Sequence, residues 1–455
     1  MYLSEDQKRP VLAVDFGASH TKLAWRPGWT EENDDQLRLA DHFFNKPSVC
    51  IAIDGESHIP SIALQSGKSL DWNYGTQAAG LTPHPGTTLR LNWKSVLFEP
   101  NPPKKDLSDA VMVAKGFFEW LHAKVQKLAL KDFDKCSLAL CIPALKEQII
   151  GAQRIAATLE QTSWRGHPIR NTLEPRANIV GLASAKAFNL TEGQVRYEAR
   201  NHITFARHTN FSVNLREIYG AASPLIAWAQ QAGQAGTTPK KVGVIDIGAF
   251  TTDFAVCKVL HTGDLKVSDV GQISIRHGVS YLDGQLRDFL RGKGLDTQQI
   301  THSGFNLAKK QIYSRQEYMM TDGKKAVLVK PEISRVWISN FTEIILNEID
   351  KITKEWRAFV LTGGGAAIPL VSEYLKRALL SKGLINLQNR FDDIDTRVAT
   401  ALGAASVESQ NWNQIKVEQP TQAPIPLVLP VVRTGRDCSC GGNKDCQKCG
   451  GDGWI

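Results

Sequence analysis

Two stretches put a carboxylate where a buried strand should be apolar. Residues 11–25, VLAVDFGASHTKLAW, and residues 242–256, VGVIDIGAFTTDFAV, align without a gap as Val-x-x-apolar-Asp-apolar-Gly-Ala-x-x-Thr-x-apolar-Ala. A buried carboxylate with no partner is costly. The same spacing twice therefore points to chemistry, against the plainer reading of two ordinary core hairpins with a tolerated Asp. Each copy reads as a strand, a tight turn and a returning strand with period-two alternation. In the turns, Gly17, Ala18 and Ser19 of the first copy and Gly248, Ala249, Phe250 and Thr251 of the second let backbone approach a ligand closely. Amides and hydroxyls in such turns suit anionic oxygen. Asp15 and Asp246 would repel phosphate directly, but each can hold a hydrated divalent cation beside it. The chemistry expected is a magnesium-bound nucleotide gripped from two sides.

A third element fits the same ligand. Residues 359–375, FVLTGGGAAIPLVSEYL, read as a buried strand, a glycine turn and an amphipathic helix starting near Ile368-Pro369. Gly363, Gly364 and Gly365 would let a ribose and α-phosphate lie against bare backbone near a helix N-terminus. A dinucleotide-binding turn is the rival. Its G-x-G-x-x-G spacing is broken here by Ala366-Ala367-Ile368.

Together these motifs resemble the first phosphate loop, second phosphate loop and adenosine loop of the actin and heat-shock chaperone ATPase superfamily. Further segments follow in the family's order. Cys141-Ile142-Pro143-Ala144-Leu145 with the following EQIIGAQRIAATLE is similar to the Val-Pro-Ala strand and helix of DnaK-type chaperones. Pro47-Ser48-Val49, Tyr74 to Ala78 and the final RVATALGAAS also resemble chaperone segments, so the likeness runs from about residue 10 to 407. It implies an α/β fold of two actin-like lobes (duplicated ribonuclease-H-like domains), residues 1–240 and 241–407, with ATP and Mg2+ in the cleft between them. Lys22 stands where actins and ParM-like filaments carry a phosphate-contacting lysine. Lys94 stands where chaperones carry the lysine that positions the attacking water. Lys309, in Ala308-Lys309-Lys310, resembles the helix that packs on adenine. Spacing assigns the family's water-side acid to residues 216–230, where Gly220 holds the acidic position and Glu217 is nearby; Glu174-Pro175 keeps the family's Glu-Pro pair further upstream.

That assignment makes residues 163–212 a basic insertion, with seven Arg and Lys against three Glu in a chain of net charge +8. Such a surface suits an acidic protein partner or nucleic acid, and equally a plain solvated face. Residues 408–433 form a Pro- and Gln-rich linker, and 434–455 a tail with Cys438-x-Cys440 and Cys446-x-x-Cys449. Four thiolates in a Gly-rich loop match a tetrahedral Zn2+ site, and the second pair with its glycines resembles the DnaJ zinc unit. The other cysteines, Cys50, Cys136, Cys141 and Cys257, sit singly in apolar contexts and read as packed thiols of a reducing compartment. No leader or membrane-length apolar run is evident, so a cytoplasmic location is expected.

The functional expectation is an ATP-binding, slowly hydrolysing switch resembling the nucleotide domain of DnaK-type chaperones without their substrate-binding domain. Lobe closure would be read by a protein partner through the linker, zinc tail or basic insertion. A filament-forming ATPase of the ParM kind, assembling as a homo-oligomer, is the alternative. A small-molecule kinase fits less well, because no motif supplies an extra acid as base.

Overall fold

The computed structural model describes residues 9–28, 48–65, 72–81, 87–146, 148–183, 240–259, 265–297, 299–300, 302–352, 356–387 and 395–406. Within them the chain is mixed α/β. The first half contains β1 (Val11–Phe16), β2 (His20–Arg26), β3 (Val49–Ile51), β4 (Ile59–Pro60), β5 (Ala63–Gln65), β6 (Trp72–Tyr74), β7 (Thr88–Arg90), β8 (Ser137–Ile142) and β9 (Ile169–Leu173). Its helices are α1 (Gly75–Ala79), α2 (Trp93–Leu97), α3 (Lys104–Gln126), α4 (Gln148–Leu159) and α5 (Glu174–Ala183). The second half contains β10 (Lys240–Ile247), β11 (Thr252–Val259), β12 (Leu265–Ile275), β13 (Tyr318–Thr321), β14 (Ala326–Val329), β15 (Ala358–Thr362) and β16 (Ile385–Asn386). Its helices are α6 (Val279–Gly292), α7 (His302–Ile312), α8 (Pro331–Ile352), α9 (Gly363–Ala366), α10 (Pro369–Ser381) and α11 (Ala399–Ser406).

The two principal sheets have the same strand order. The first runs β3-β2-β1-β8-β9, with β4 added beside β2, and the second runs β12-β11-β10-β15-β16. In each, a three-strand antiparallel meander is extended by two parallel strands. The expected hairpins form its first turn in both halves. Register is the same too: Asp15 pairs with Lys22, and Asp246 with Asp253.

Period-two alternation divides each sheet between two cores. Leu12, Val14 and Phe16 of β1 face an outer core completed by Phe117, Phe118 and Leu121 of α3. Ile245 and Ile247 of β10 face the second outer core with Leu282 and Leu286 of α6. The alternate residues, Val11, Ala13, Val242 and Val244, meet in one shared layer with Ala177, Ile179 and Leu182 of α5 and Ala401, Leu402 and Ala405 of α11. Central strands covered on both faces read as unbroken apolar runs, which is why the two aspartates stood out.

The shared layer is filled mainly by small side chains, and α5 and α11 cross there at backbone contact. A Cβ on Gly181 would lie 1.9 Å from the Ala399 carbonyl oxygen, and one on Gly403 would lie 1.8 Å from that of Ala177. Only hydrogen fits at that distance. The α11 helix lies on β1, β2 and β8 of the first sheet and α5 mainly on β10, β11 and β12 of the second, so their crossing joins the two halves.

The strand-turn-helix expected at the glycine run is present: β15 leads through Gly363, at φ +82°, into α9, and α10 begins with Pro369 at its first position. The basic insertion needs revising at its start. Residues 169–183, expected inside it, form β9 in the first sheet and α5 in the shared layer. Residues 163–168, also expected inside it, lead into β9 with Trp164 buried in the first outer core. Residues 184–212, together with Glu217, the linker and the four tail cysteines, lie outside the described residues. Among the described residues no helix is long and apolar enough to cross a membrane.

Candidate functional site

The two hairpins converge. Asp15, at the end of β1, is buried and accepts a hydrogen bond from Lys22 Nζ at 2.9 Å across the β1–β2 ladder. Burial alone would lower the Lys22 ammonium, but the charges of Asp15 and Asp246 outweigh it and hold that pKa above its ordinary value. One lysine thus lies in the field of both repeated aspartates.

Asp246 is held by the crossing helices. Asn178 Nδ2 of α5 donates to its Oδ2 at 2.8 Å, and Thr400 Oγ1 of α11 donates to the same oxygen at 3.1 Å. Asn178 also donates to Thr400 Oγ1 at 3.0 Å and accepts from Thr362 Oγ1 at 3.3 Å. Burial, with Asp15 and Glu174 nearby, pushes the Asp246 carboxyl up to about 6 against the pull of Lys22 and the Thr400 hydrogen bond. Gly363 abuts it: a Cβ there would fall 2.0 Å from Asp246 Oδ1, so the glycine run and the second hairpin form one surface.

The turns are tight in both copies. A Cβ on Gly17 would meet the His20 carbonyl oxygen at 2.2 Å, and one on Gly248 would meet that of Thr251 at 2.9 Å. Ala18 is buried, whereas Ser19 is exposed and its hydroxyl lies 2.9 Å from His20 Nδ1. The second turn is braced by the start of α6, whose Val279 and Ser280 amides donate to the Gly248 and Ala249 carbonyls at 2.9 Å each. Thr251 Oγ1 donates to Asp253 Oδ2 at 3.0 Å, and Ser274 Oγ donates to Asp253 Oδ1. Burial, with Glu174 and Asp246 near, raises the Asp253 carboxyl well above the usual range.

Lys94 is buried on α2, and its Nζ donates to Glu174 Oε1 at 2.7 Å, with Glu174 also buried. Its ammonium lies 5.6 Å from the Phe16 ring centroid and 5.8 Å from that of Phe98. The buried Cys141 thiol lies in the field of both ion pairs. Its pKa is raised well above the ordinary value by burial and by Asp15 and Glu174, partly offset by Lys94 and Lys22. Lys309 on α7 is committed to Asp283 of α6 at 2.8 Å. Its charge still reaches His20, whose imidazole is lowered by desolvation and by Lys22, His58, Arg397 and Lys309.

The structure therefore gathers Asp15, Lys22, Lys94, Asp246, both turns and Gly363 to Gly365. Sequence reasoning passed over Asn178, Asp253, Ser274 and Thr400, and placed Glu174 second to Glu217. Only Asp253 carried a signal, being the residue that aligns with Lys22. No group of three or more His, Cys, Asp or Glu side chains has metal-binding geometry among the described residues. No protein-family model matches the chain, and no curated protein matches it.

Proposed function

We propose that the protein binds Mg-ATP between its two halves and acts as a slowly hydrolysing switch of the actin and chaperone ATPase type. What carries this reading is the convergence of Asp15 and Asp246. They stand at equivalent ends of equivalent strands in two sheets of identical order, and both act on one lysine.

The residues present fit magnesium. Asp15, Glu174 and Asp246 act on Lys22, Lys94 pairs with Glu174, and Asp253 lies near Glu174 and Asp246, so full ionisation of the group leaves two negative charges in excess. An all-oxygen, carboxylate-rich surround suits a hard divalent cation. Asp15 and Asp246 would order its waters, and the metal would supply charge neutralisation at the phosphates. The amides and hydroxyls of Gly17 to Ser19 and Gly248 to Thr251 would cradle phosphate oxygens. Lys22 would add positive charge where it accumulates, a large share of catalysis in phosphoryl transfer. Gly363 to Gly365 would accept the ribose side. The water-side acid is assigned to Glu174: it opens α5 in the Glu-Pro context and is fixed by Lys94. A nucleotide held by both hairpins would tie the halves together, so ATP and ADP states would differ in closure. A protein partner would read that difference through the linker, the basic segment or the cysteine tail, where Zn2+ would be held by Cys438, Cys440, Cys446 and Cys449.

Titration calorimetry with Mg-ATP tests the assignment. Asp15→Ala and Asp246→Ala should each weaken binding by about a hundredfold or more, the loss of about 3 kcal/mol of charge-assisted contacts. Wild-type affinity in both variants would remove the cleft from consideration. Glu174→Gln should retain ATP and lose phosphate release.

A further inference from the structure

Arg276 lies just past β12, in the joint that braces the second hairpin. Two residues on, the Gly278 amide donates to the Phe250 carbonyl at 3.2 Å, next to the Val279 and Ser280 contacts with the same turn. Its guanidinium nevertheless reaches the other half. Nη1 pairs with Glu99 Oε1 at 3.0 Å, and Nη2 donates to the Phe98 carbonyl at 2.8 Å. Phe98 caps α2, the five-residue helix that carries Lys94. The same helix end is held from its own half by Arg154, which donates to the Leu97 carbonyl at 2.8 Å and to that of Glu99 at 2.5 Å.

Phe250 completes the bridge. It sits in the second phosphate-loop turn, yet packs against the first outer core, and the Arg276 guanidinium carbon lies 5.6 Å from its ring centroid. Close by, the Ala144 amide of the first half donates to Ser274 Oγ at 2.6 Å, and Ser274 in turn holds Asp253. Three neighbouring contacts thus join the second hairpin to the first half on the side where Lys94 meets Glu174. A short helix has too few internal hydrogen bonds to hold its own orientation. The end of α2 depends on what grips it.

We infer that Arg276 is a positioning residue: it couples the second hairpin to the end of α2, so that ligand engagement by that hairpin sets the placement of Lys94. This rests on the nucleotide reading above. The Arg276 side chain touches no reacting atom. It acts through Phe98 and Glu99, and misplacement of a catalytic group by about 1 Å can cost about a hundredfold in rate.

The test compares the full-length wild type, Arg276→Gln and Glu99→Gln by hydrogen exchange, Mg-ATP titration and single-turnover phosphate release. In wild type, peptides covering residues 93–99 should gain protection with Mg-ATP. In Arg276→Gln the affinity should stay within about threefold and residues 246–252 should still be protected, while 93–99 lose their gain and turnover falls by about tenfold or more. Glu99→Gln leaves the second half untouched, so it reports even if Arg276→Gln folds poorly. It should move both readouts the same way by less, and the double variant should be no worse than Arg276→Gln alone. Unchanged protection of 93–99 with unchanged turnover in both single variants would overturn the coupling while leaving ATP binding intact. No Mg-ATP binding by wild type would overturn the nucleotide reading, and the coupling with it.

Discussion

The Lys94–Glu174 pair gives a sharp energetic test, because both ends are buried and their surroundings differ. At 2.7 Å and an effective dielectric of about 20, the attraction is about 6 kcal/mol. Desolvation of two ions costs several kcal/mol each, so the intact pair is close to neutral for stability, whereas deleting one end costs about 3–5 kcal/mol. The two deletions are not equivalent. Lys94→Met strands Glu174 beside Asp246 and Asp253, with Lys22 as the remaining nearby ammonium. Glu174→Gln keeps an acceptor for Lys94, thins a crowd of carboxylates and leaves the ammonium near the Phe16 and Phe98 rings. Lys94→Met should therefore fall near about 5 kcal/mol and Glu174→Gln near about 3 kcal/mol or less. Combining Lys94→Met with Glu174→Leu should recover most of the loss. Urea unfolding followed by circular dichroism measures all three, and with a slope of about 3 kcal/mol/M the larger loss shifts the midpoint by more than about 1 M. Equal losses below about 1 kcal/mol, or the reverse order, would refute a buried pair set among carboxylates.

Asp246→Asn should stabilise the ligand-free protein as pH rises. A carboxyl raised from 3.8 to about 6 contributes stability that is full below 3.8 and lost as pH climbs through about 6, so above that the ionised Asp246 costs up to about 3 kcal/mol. The variant-minus-wild-type melting difference should be near zero at pH 4 and grow toward pH 7; a flat difference would contradict it. Gly403→Ala separates helix propensity from packing. Propensity alone would stabilise by about 1 kcal/mol, whereas the contact with the Ala177 carbonyl should make it destabilising by about 1–3 kcal/mol in thermal unfolding. Cys449→Ser should lower zinc content, measured by plasma mass spectrometry, without changing ATP affinity; unchanged zinc would remove the tail assignment.

The hairpins and the glycine turn were legible because each combines a local backbone demand with an apolar run. An Asp inside Val-Ile-Asp-Ile cannot be disguised, and Gly363 at positive φ cannot be replaced cheaply. The helix carrying Glu174 was not legible as a neighbour of the hairpins for the opposite reason. Glu174, Pro175, Ala177, Asn178, Ile179, Gly181 and Leu182 are all buried, because α5 lies between two sheets and against α11. Its buried positions mix Glu174 and Asn178 with apolar residues, so the 3.6-residue contrast that marks a surface helix is blurred. Spacing from the second hairpin then favoured a later segment. Asn178 and Thr400 were invisible for a related reason: each matters only because the crossing brings it to Asp246, and no local pattern encodes a contact between residues so far apart in the chain.

The duplication is also broken where its charge matters most. The residue across the ladder from the repeated aspartate is Lys22 in one half and Asp253 in the other. With lysine in both copies, each aspartate would be neutralised within its own hairpin. With aspartate in both, the repeated positions would hold four carboxylates and no lysine, a repulsion that only protonation or a bound cation could relieve. The mixed arrangement lets the first hairpin keep its charge pair and leaves Asp246 shared between Lys22 and neutral donors from α5 and α11. Asp253 is turned away to two hydroxyls, one of which, on Ser274, receives the Ala144 amide of the first half. The residue that breaks the symmetry thus also takes part, through Ser274, in tying the second hairpin to the first half. With the hairpins and the contacts between the halves sharing these residues, a change in charge at the hairpins would also alter the fit between the halves.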